Sequence, residues 1–346
     1  MKVLFNMLLV SAISCFNLNV KAQDLTERNK QINEIADKIN EYYIFEDVAN
    51  QLSKKLKSEI ELKTFDNLTD SAFAKSLSSY LAKNGDDLHF NVLYRPSQKD
   101  EKKPVDEKEI LKEYDAINKQ WNYGFEKVTR LDGNIGYIEY TGFPEGNKSA
   151  QQILDAAMNF VSNTNALIID LRNNQGGDGK MVELFLSYFF DKKIKLNEVY
   201  TRYNNKTTKS YTNQNVNGKK YLGKPVYILV NNRTISAAEA LAYNLQKHNI
   251  ATVIGDKTYG AANPVKAFFI GNKYHLFIPV SIEKNAITNT NWEHKGIDAD
   301  IKISSEKALI KAQLIALENL KKVNTKTELT ENETHEKIVK LKKELE

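Results

Sequence analysis

Apolar residues recur every three or four positions through the first hundred residues, which is the spacing of one face of an α-helix. Three such stripes follow one another. They consist of Ile32, Ile35, Ile39 and Tyr42, then Val48, Leu52, Leu56 and Ile60, then Phe73, Leu77, Tyr80 and Leu81. Thr69 or Asp70 starts the third helix and Asn84-Gly85 ends it, as is typical of helix caps. We therefore predict a three-helix bundle over residues 25–95.

The pattern becomes alternating after this bundle. Leu88, Phe90, Val92 and Tyr94 alternate with polar residues, which predicts a strand with His89 on the face away from the apolar side. Taken alone, a histidine in this position is more often a surface or packing residue than a catalytic one.

Residues 96–120 are rich in charge and predict a linker with one polar helix. Residues 121–305 then alternate strands with helices, which predicts an α/β domain with much parallel pairing. The predicted strands are Ile135 to Tyr140, Ala166 to Leu171, Val226 to Val230, Thr252 to Ile254, Lys266 to Ile270 and Leu276 to Val280. The predicted helices are Ala150 to Val161 and Gly179 to Phe190. Residues 197–222 fit no pattern.

Residues 306–346 predict C-terminal helices. Ser304 or Ser305 caps the first of them, which carries several leucines on one face. The charged residues 323–346 favour a surface helix without evident chemistry.

The N-terminus has the pattern of a secretory signal peptide, residues 1–22. Lys2 precedes an apolar centre, and a small-residue exit at Val20-Lys21-Ala22 predicts cleavage after Ala22. The single cysteine, Cys15, lies within this leader, so the mature chain has no disulfide. A lipoprotein anchored at Cys15 is the alternative. Otherwise we expect a periplasmic or secreted protein without a membrane span.

Composition narrows the function classes further. The chain has 49 basic and 44 acidic residues and a formal charge of +5, and no basic stripe, so nucleic-acid binding is not indicated. At 346 residues, with 41% hydrophobic and 27% charged, it is an ordinary globular protein long enough for a sizeable core.

Ser236 is the first candidate for chemistry, because it lies between a buried strand and an Ala-rich helix. The unpaired N–H groups of a first helical turn suit a developing negative charge, which a serine nucleophile requires nearby. The alternative is structural, since Ser236-x-x-Glu239 is also a capping box.

Two further loops carry candidate residues. Asn174, Gly176, Gly177 and Gly179 form a strand-to-helix turn that either aims N–H groups at an anion or is a plain tight turn. Glu293 lies in a polar loop near the end of the domain and is a candidate acid. No metal-ligand or cofactor motif accompanies them, so we expect neither a metal nor a cofactor.

Taken in order, these motifs resemble the tail-specific, or C-terminal processing, serine peptidases. The motifs are His89, Asp170-x-Arg172-x-Asn174-x-Gly176-Gly177, Ser236-Ala237-Ala238-Glu239, Gly255-Asp256-Lys257-Thr258-Tyr259-Gly260 and Trp292-Glu293-x-x-Gly296-Ile297-x-x-Asp300. The chain is most similar to the branch that holds bacterial relatives of interphotoreceptor retinoid-binding protein and the tricorn-type peptidases. The resemblance covers roughly residues 30–303 and implies a crotonase/ClpP-like α/β core.

The resemblance also implies a mechanism. The processing-protease branch uses a lysine 25 residues after the serine, but that position here is Ala261. Lys257 lies nearby at a position that the family fills variably. The tricorn-type branch uses serine, histidine and glutamate, which implies Ser236 as nucleophile, His89 as base and Glu293 as orienting acid. The implied oxyanion donors are the N–H of Ala237 and of Gly176 or Gly177.

These residues predict a secreted serine peptidase that acts on peptides or protein C-termini. One alternative is a non-catalytic carrier of hydrophobic ligands such as retinoids or fatty acids, as in the retinoid-binding relatives. Another is an inactive peptide-binding scaffold. The sequence does not reveal the oligomeric state.

Overall fold

A computed structural model describes residues 25–95 and 107–346. The predicted leader, with Ala22 and Cys15, lies outside them. The helices are α1 (25–42), α2 (Glu46–Glu61), α3 (Asp70–Gly85), α4 (Glu107–Gln120), α5 (Lys148–Val161), α6 (Gly179–Leu186), α7 (Ala237–Lys247), α8 (Ser305–Lys322) and α9 (Glu331–Leu345). Short 3-10 turns cover Asn122–Gly124 and Ser187–Phe189.

The strands include all six that the sequence predicts for residues 121–305. They are β1 (Asn91–Tyr94), β2 (Phe125–Leu131), β3 (Ile135–Tyr140), β4 (Ala166–Asp170), β5 (Lys195–Thr201), β6 (Lys206–Tyr211), β7 (Val226–Val230), β8 (Ala251–Gly255), β9 (Val265–Ile270), β10 (Tyr274–Pro279), β11 (Ser281–Asn285) and β12 (Ile301–Lys302). None of the helices in the described ranges is both long and apolar enough to cross a bilayer.

The described chain separates into two compact units. The first comprises residues 25–95, 201–205 and 265–281, and the second comprises residues 107–200, 206–264 and 282–346. The domain boundaries predicted at 95, 120 and 305 stay a prediction.

The first unit combines α1, α2 and α3 with a three-stranded antiparallel sheet in the order β1-β10-β9. The three predicted stripes form its interior, because Ile35, Leu56 and Leu77 are fully buried. Thr69 caps α3 by accepting the N–H of Ala72, as predicted. Distant segments are joined by polar contacts, including the Tyr274 hydroxyl, which donates to Asp70 at 2.8 Å.

The predicted strand start at Leu88 is wrong, because β1 begins at Asn91. The Asp87 carboxylate accepts the N–H of His89 at 2.9 Å, so residues 87–90 form a turn instead of pairing. Leu88 is exposed as a result. The His89 side chain is only 11% exposed. Because residue 89 lies in the turn and not in β1, the expectation that it occupies one face of a strand does not apply.

The second unit is built on a six-stranded sheet in the order β12-β8-β7-β4-β3-β2. Strands β3, β4, β7, β8 and β12 are parallel neighbours, and β2 adds an antiparallel edge. The central strands β4 and β7 are buried at every position, as expected where both faces are covered. The predicted α/β fold class is confirmed. Because the strands are parallel, the loops after β4, β7 and β8 leave the same edge of the sheet.

Two apolar clusters cover the faces of this sheet. One contains residues of α5, α6 and α7, and the other contains residues of α8 and α9. Ile338 and Leu341 of α9 are buried in the second cluster, so the charged C-terminal segment packs on the domain. Residues 197–222, which fit no pattern, contribute β5 and β6 to a second sheet with the order β11-β5-β6.

Candidate active site

Ser236 stands immediately before α7 with φ +58° and ψ −116°. The N-cap residues Thr69, Asn147 and Thr330 instead have φ between −81° and −63° with extended ψ, the usual N-cap conformation. A positive φ at a non-glycine residue costs about 1–3 kcal/mol and persists only where its surroundings enforce it. The backbone of Ser236 therefore differs from that of these three N-cap residues.

The loop before Ser236 is held by buried hydrogen bonds. Thr234 is fully buried, accepts the N–H of Asn231 at 3.0 Å and donates to the carbonyl of Leu171 at 2.9 Å. The N–H of Ile235 donates to the carbonyl of Asn174 at 3.1 Å. These contacts join the loop after β7 to the loop after β4 and keep Ser236 in its strained conformation.

Gly176 lies directly against Ser236. A Cβ atom on Gly176 would be 2.8 Å from the Ile235 oxygen, 2.9 Å from Ser236 Cβ and 3.1 Å from the Ala237 nitrogen. A side chain at Gly176 would therefore displace one of the two loops. The glycine reflects this close approach as well as its positive φ of +90°.

The side chain of Asn174 makes the two neighbouring glycines, Gly176 and Gly177, differ in their hydrogen bonding. Its Nδ2 donates to the carbonyl of Tyr140 at 2.9 Å, and its Oδ1 accepts the N–H of Gly176 at 2.9 Å. The N–H of Gly176 is thus already bonded. Neither Gly177 nor Ala237 donates its N–H to any residue in the described ranges. Phe143 holds the backbone on both sides of Gly177. Its N–H donates to the carbonyl of Gly176 and its carbonyl accepts the N–H of Asp178, both at 2.9 Å.

An ion pair supports the start of this glycine loop. Asp170, at the end of β4, accepts Nε of Arg172 at 2.9 Å and the hydroxyl of Tyr137 at 2.8 Å. Arg172 also donates to the carbonyl of Ser305 at 2.6 Å. The Asp170-x-Arg172 part of the motif therefore has a structural role in the loop.

Glu239, one turn into α7, has a fully buried carboxylate. It accepts the N–H of Ser236 at 2.9 Å, which is half of the predicted capping box. It also accepts the Thr258 hydroxyl at 2.5 Å and the N–H groups of Gly260 and Ala261 at 2.8 and 3.0 Å. Burial raises the pKa of the Glu239 carboxyl, and these four donors oppose that rise.

Glu293 holds the next two amides of the same segment. Its Oε2 accepts the N–H of Ala262 at 2.5 Å and of Asn263 at 3.0 Å. Its Oε1 is buried and has no hydrogen-bond partner among the described residues. Burial raises the pKa of this carboxyl, while the two amides lower it. One carboxylate oxygen of Glu293 is thus anchored, and the other, 3.9 Å from Nε2 of His294, can accept a hydrogen bond.

The structure also shows the surroundings of Ala261, which occupies the position of the family's lysine, and of the nearby Lys257. Ala261 is fully buried, and its carbonyl accepts Nε1 of Trp292 at 3.0 Å. The Lys257 side chain is 56% exposed and lies 3.9 Å from the Asp298 carboxylate. The lysine of the processing-protease branch is therefore absent, and Lys257 occupies a surface ion pair.

His89 belongs to the first unit, whereas Ser236 and Glu293 belong to the second. Its Nδ1 lies 3.8 Å from the fully buried Asp87 carboxylate. Neither ring nitrogen makes a hydrogen bond within the described parts of the chain. Burial lowers the pKa of His89 to about 4, so its imidazole is neutral at physiological pH.

Sequence reasoning overlooked Asn174 and Thr258 as site residues and understated Glu239. The local pattern predicts a turn at Asn174 and half of a capping box at Glu239. Their remaining bonds reach residues from distant parts of the chain, so no local pattern could have indicated them.

Comparison with known proteins identifies a family match over part of the chain. Residues 134–303 match the model of peptidase family S41. The match contains Gly176, Gly177, Ser236 and Glu293 but not His89.

Two curated relatives are similar over part of their length. Carboxy-terminal processing protease CtpA of Bacillus subtilis (strain 168) is 28% identical over 175 residues, which cover 49% of this chain and 35% of that protease. The carboxyl-terminal-processing protease of Synechocystis sp. (strain ATCC 27184 / PCC 6803 / Kazusa) is 33% identical over 135 residues, which cover 38% of this chain and 29% of that protease. The chain thus matches about a third of the length of these curated relatives.

Solved structures share the fold. The photosystem II D1 C-terminal processing protease superimposes with a TM-score of 0.50 at 14% identity, covering 80% of this chain and 93% of that one. The family resemblance predicted from the motifs is confirmed, and the chain carries a peptidase family S41 domain over residues 134–303.

Proposed function

We propose that this protein is a secreted serine peptidase that hydrolyses peptides or protein C-termini, with Ser236 as its nucleophile. The observation that carries the proposal is the strained backbone of Ser236 at a helix start, beside the glycine loop. A strand-to-helix turn of this kind exposes a serine hydroxyl next to free N–H groups. The S41 match and the names of the curated relatives support the same reaction class.

In the proposed reaction, Ser236 Oγ attacks the carbonyl carbon of the scissile peptide bond while a base takes its proton. The resulting oxyanion accepts the N–H groups of Ala237 and Gly177. We assign the second donor to Gly177 because Asn174 already binds the N–H of Gly176. The protonated base then gives its proton to the leaving amine, and water hydrolyses the acyl-enzyme.

We propose His89 as this base and Glu293 as its orienting acid. His89 is neutral at physiological pH and both its ring nitrogens are free within the described chain, as a base requires. Glu293 offers one unbonded carboxylate oxygen, which suits an imidazole N–H. Position 261 carries alanine instead of lysine, and Lys257 forms an ion pair at the surface. We therefore favour the histidine as the base.

Ser236→Ala tests the proposal, with Thr330→Ala as its matched control. Thr330 caps α9 in a capping box of the same sequence type. Both variants should remain folded, Thr330→Ala losing about 1 kcal/mol of stability. Ser236→Ala should lose fluorophosphonate labelling and cleavage of a fluorescein-labelled casein, while Thr330→Ala keeps both.

Full activity in folded Ser236→Ala would refute the peptidase mechanism. The interpretation of Ser236 as a helix cap would then be favoured. Absence of labelling and cleavage in the wild-type protein, together with saturable binding of retinol or a fluorescent fatty acid, would instead support the carrier alternative.

A further inference from the structure

Glu239 makes more contacts than a helix cap requires. Of its four hydrogen bonds, one reaches Ser236 in the nucleophile turn, and three reach Thr258, Gly260 and Ala261 in the loop after β8. A single buried side chain therefore fixes two loops that come from different strands of the parallel sheet.

The contacts of Glu239 require a carboxylate anion. Three of its partners are backbone N–H groups, which can only donate. The fourth is the Thr258 hydroxyl, whose oxygen already accepts the N–H of Ile297 at 2.7 Å. The hydroxyl proton of Thr258 therefore points to Glu239 as a fourth donor. Among the described residues every group bonded to the carboxylate is a donor, so a proton on Glu239 would break one of these bonds.

The loop that Glu239 holds also carries the contacts of Glu293. The four successive amides of residues 260–263 are divided between the two carboxylates, the first two bonding Glu239 and the last two bonding Glu293. The opposite side of the segment is bonded as well, since the carbonyls of Gly260 and Ala261 accept the N–H of His294 and Nε1 of Trp292. Residues 260–263 therefore connect Glu239 to Glu293 through direct hydrogen bonds.

We propose that Glu239, as a buried carboxylate, is a positioning residue that holds Ser236 in its reactive conformation and sets the place of Glu293 through residues 260–263. The inference rests on the proposed function, because it gives Ser236 and Glu293 the roles of nucleophile and orienting acid. Glu239 itself touches no substrate.

The same chain supplies a comparison for the alternative, that Glu239 is an ordinary cap. In α9, Glu333 forms a capping box with Thr330, accepting the Thr330 N–H at 2.8 Å. Glu333 is exposed and its hydrogen bonds stay within that box. If Glu239 were only a cap, replacing either glutamate should have the same small effect.

The decisive experiment compares Glu239→Gln with Glu333→Gln. The glutamine is isosteric but turns an N–H₂ group toward the donors around residues 260–261. A displacement of about 1 Å at a reacting group costs roughly a hundredfold in rate. We expect kcat for labelled casein to fall roughly a hundredfold in Glu239→Gln, KM to change by less than about threefold, and fluorophosphonate labelling to slow in parallel. Glu333→Gln should match the wild-type protein.

A second pair of variants keeps the test informative if Glu239→Gln fails to fold. Thr258→Val removes one donor from the carboxylate and should lower kcat about tenfold, the size expected from a partial displacement. Thr258→Ser restores the hydroxyl and should recover wild-type kcat. Circular dichroism and thermal unfolding give the folded fraction used to correct each rate.

Wild-type kcat in folded Glu239→Gln would overturn the positioning role, as would a loss fully explained by unfolded protein in both Glu239→Gln and Thr258→Val. The proposed function fails in a different way. If Ser236→Ala keeps its activity, the peptidase mechanism is wrong. If Ser236→Ala is inactive and Glu239→Gln is normal, only the positioning inference is refuted.

Discussion

Replacing Gly177 by alanine should remove catalysis while leaving most of the fold intact. The backbone of Gly177 has φ +138°, a conformation that L side chains rarely adopt. An alanine Cβ would lie 1.9 Å from the carbonyl oxygen of Phe143, although real Cβ contacts essentially never fall below 3.0 Å. Residue 177 and Phe143 must therefore separate by about 1.1 Å.

This displacement acts on the proposed oxyanion donor. Phe143 is bonded on both sides of Gly177, to Gly176 and to Asp178, so the glycine loop must move or these bonds must break. Loss of one oxyanion donor costs about 10²–10³ in kcat, and a misplacement of about 1 Å costs a similar amount. We expect kcat to fall at least a hundredfold, with about 1–3 kcal/mol of stability lost to backbone strain.

Gly179→Ala is the matched control, because a Cβ on Gly179 meets no atom of the described residues within 4 Å and its φ is not in the positive region. As the first residue of α6 it should tolerate alanine with unchanged kcat and a gain of about 0.4–1 kcal/mol. Steady-state hydrolysis of labelled casein, with chemical denaturation of each variant, measures both effects. Wild-type kcat in folded Gly177→Ala would refute the assignment of its N–H to the oxyanion.

Three further predictions concern the base, its titration and the leader. His89→Ala should lower kcat/KM by orders of magnitude, Glu293→Gln by less and Lys257→Ala least; a dead Lys257→Ala beside an active His89→Ala would contradict the assignment. The pKa of His89 is about 4 in the fold and 6.5 ordinarily. The free energy of unfolding should therefore decline by up to about 3 kcal/mol as the pH falls from 6.5 to 4. Chemical denaturation at several pH values should show that this pH-dependent decline is missing in His89→Gln. Mass spectrometry of the native N-terminus should show cleavage after Ala22, and a diacylated Cys15 would establish the lipoprotein alternative.

The helices of the first unit could be predicted because their signal is local. Each buried stripe repeats within one helix, so Ile35, Leu56 and Leu77 were assigned correctly from spacing alone. The same holds for β7, whose residues are apolar at each position, and for β4, which is apolar up to Asp170 at its end. Their burial on both faces follows directly from that composition.

Other elements lack a local signal. Strand β6 reads Lys-Thr-Thr-Lys-Ser-Tyr and is almost wholly exposed, so no alternation of apolar residues marks it. Leu88 was assigned to a strand because its neighbours alternate. The side chain of Asp87 bonds the backbone of His89 and makes a turn there, a local competition that the apolar pattern does not record.

The residues of the candidate site also differ in whether a local sequence pattern predicts them. Ser236, Gly176, Gly177 and Glu293 could be named because their motifs are short and ordered along the chain. The distinction between the two glycines depends on the side chain of Asn174, which sequence spacing does not orient.

The discontinuous first unit has a consequence for synthesis on the ribosome. Its helices are complete by residue 85, but β9 and β10, which finish its sheet, lie at residues 265–279. The bond from Tyr274 to Asp70 spans 204 residues. At about 5–20 residues per second, the helices emerge roughly 10–40 seconds before the strands that cover them. A fragment that stops at residue 95 lacks those strands, so isolating this unit requires joining residues 201–205 and 265–281 to it.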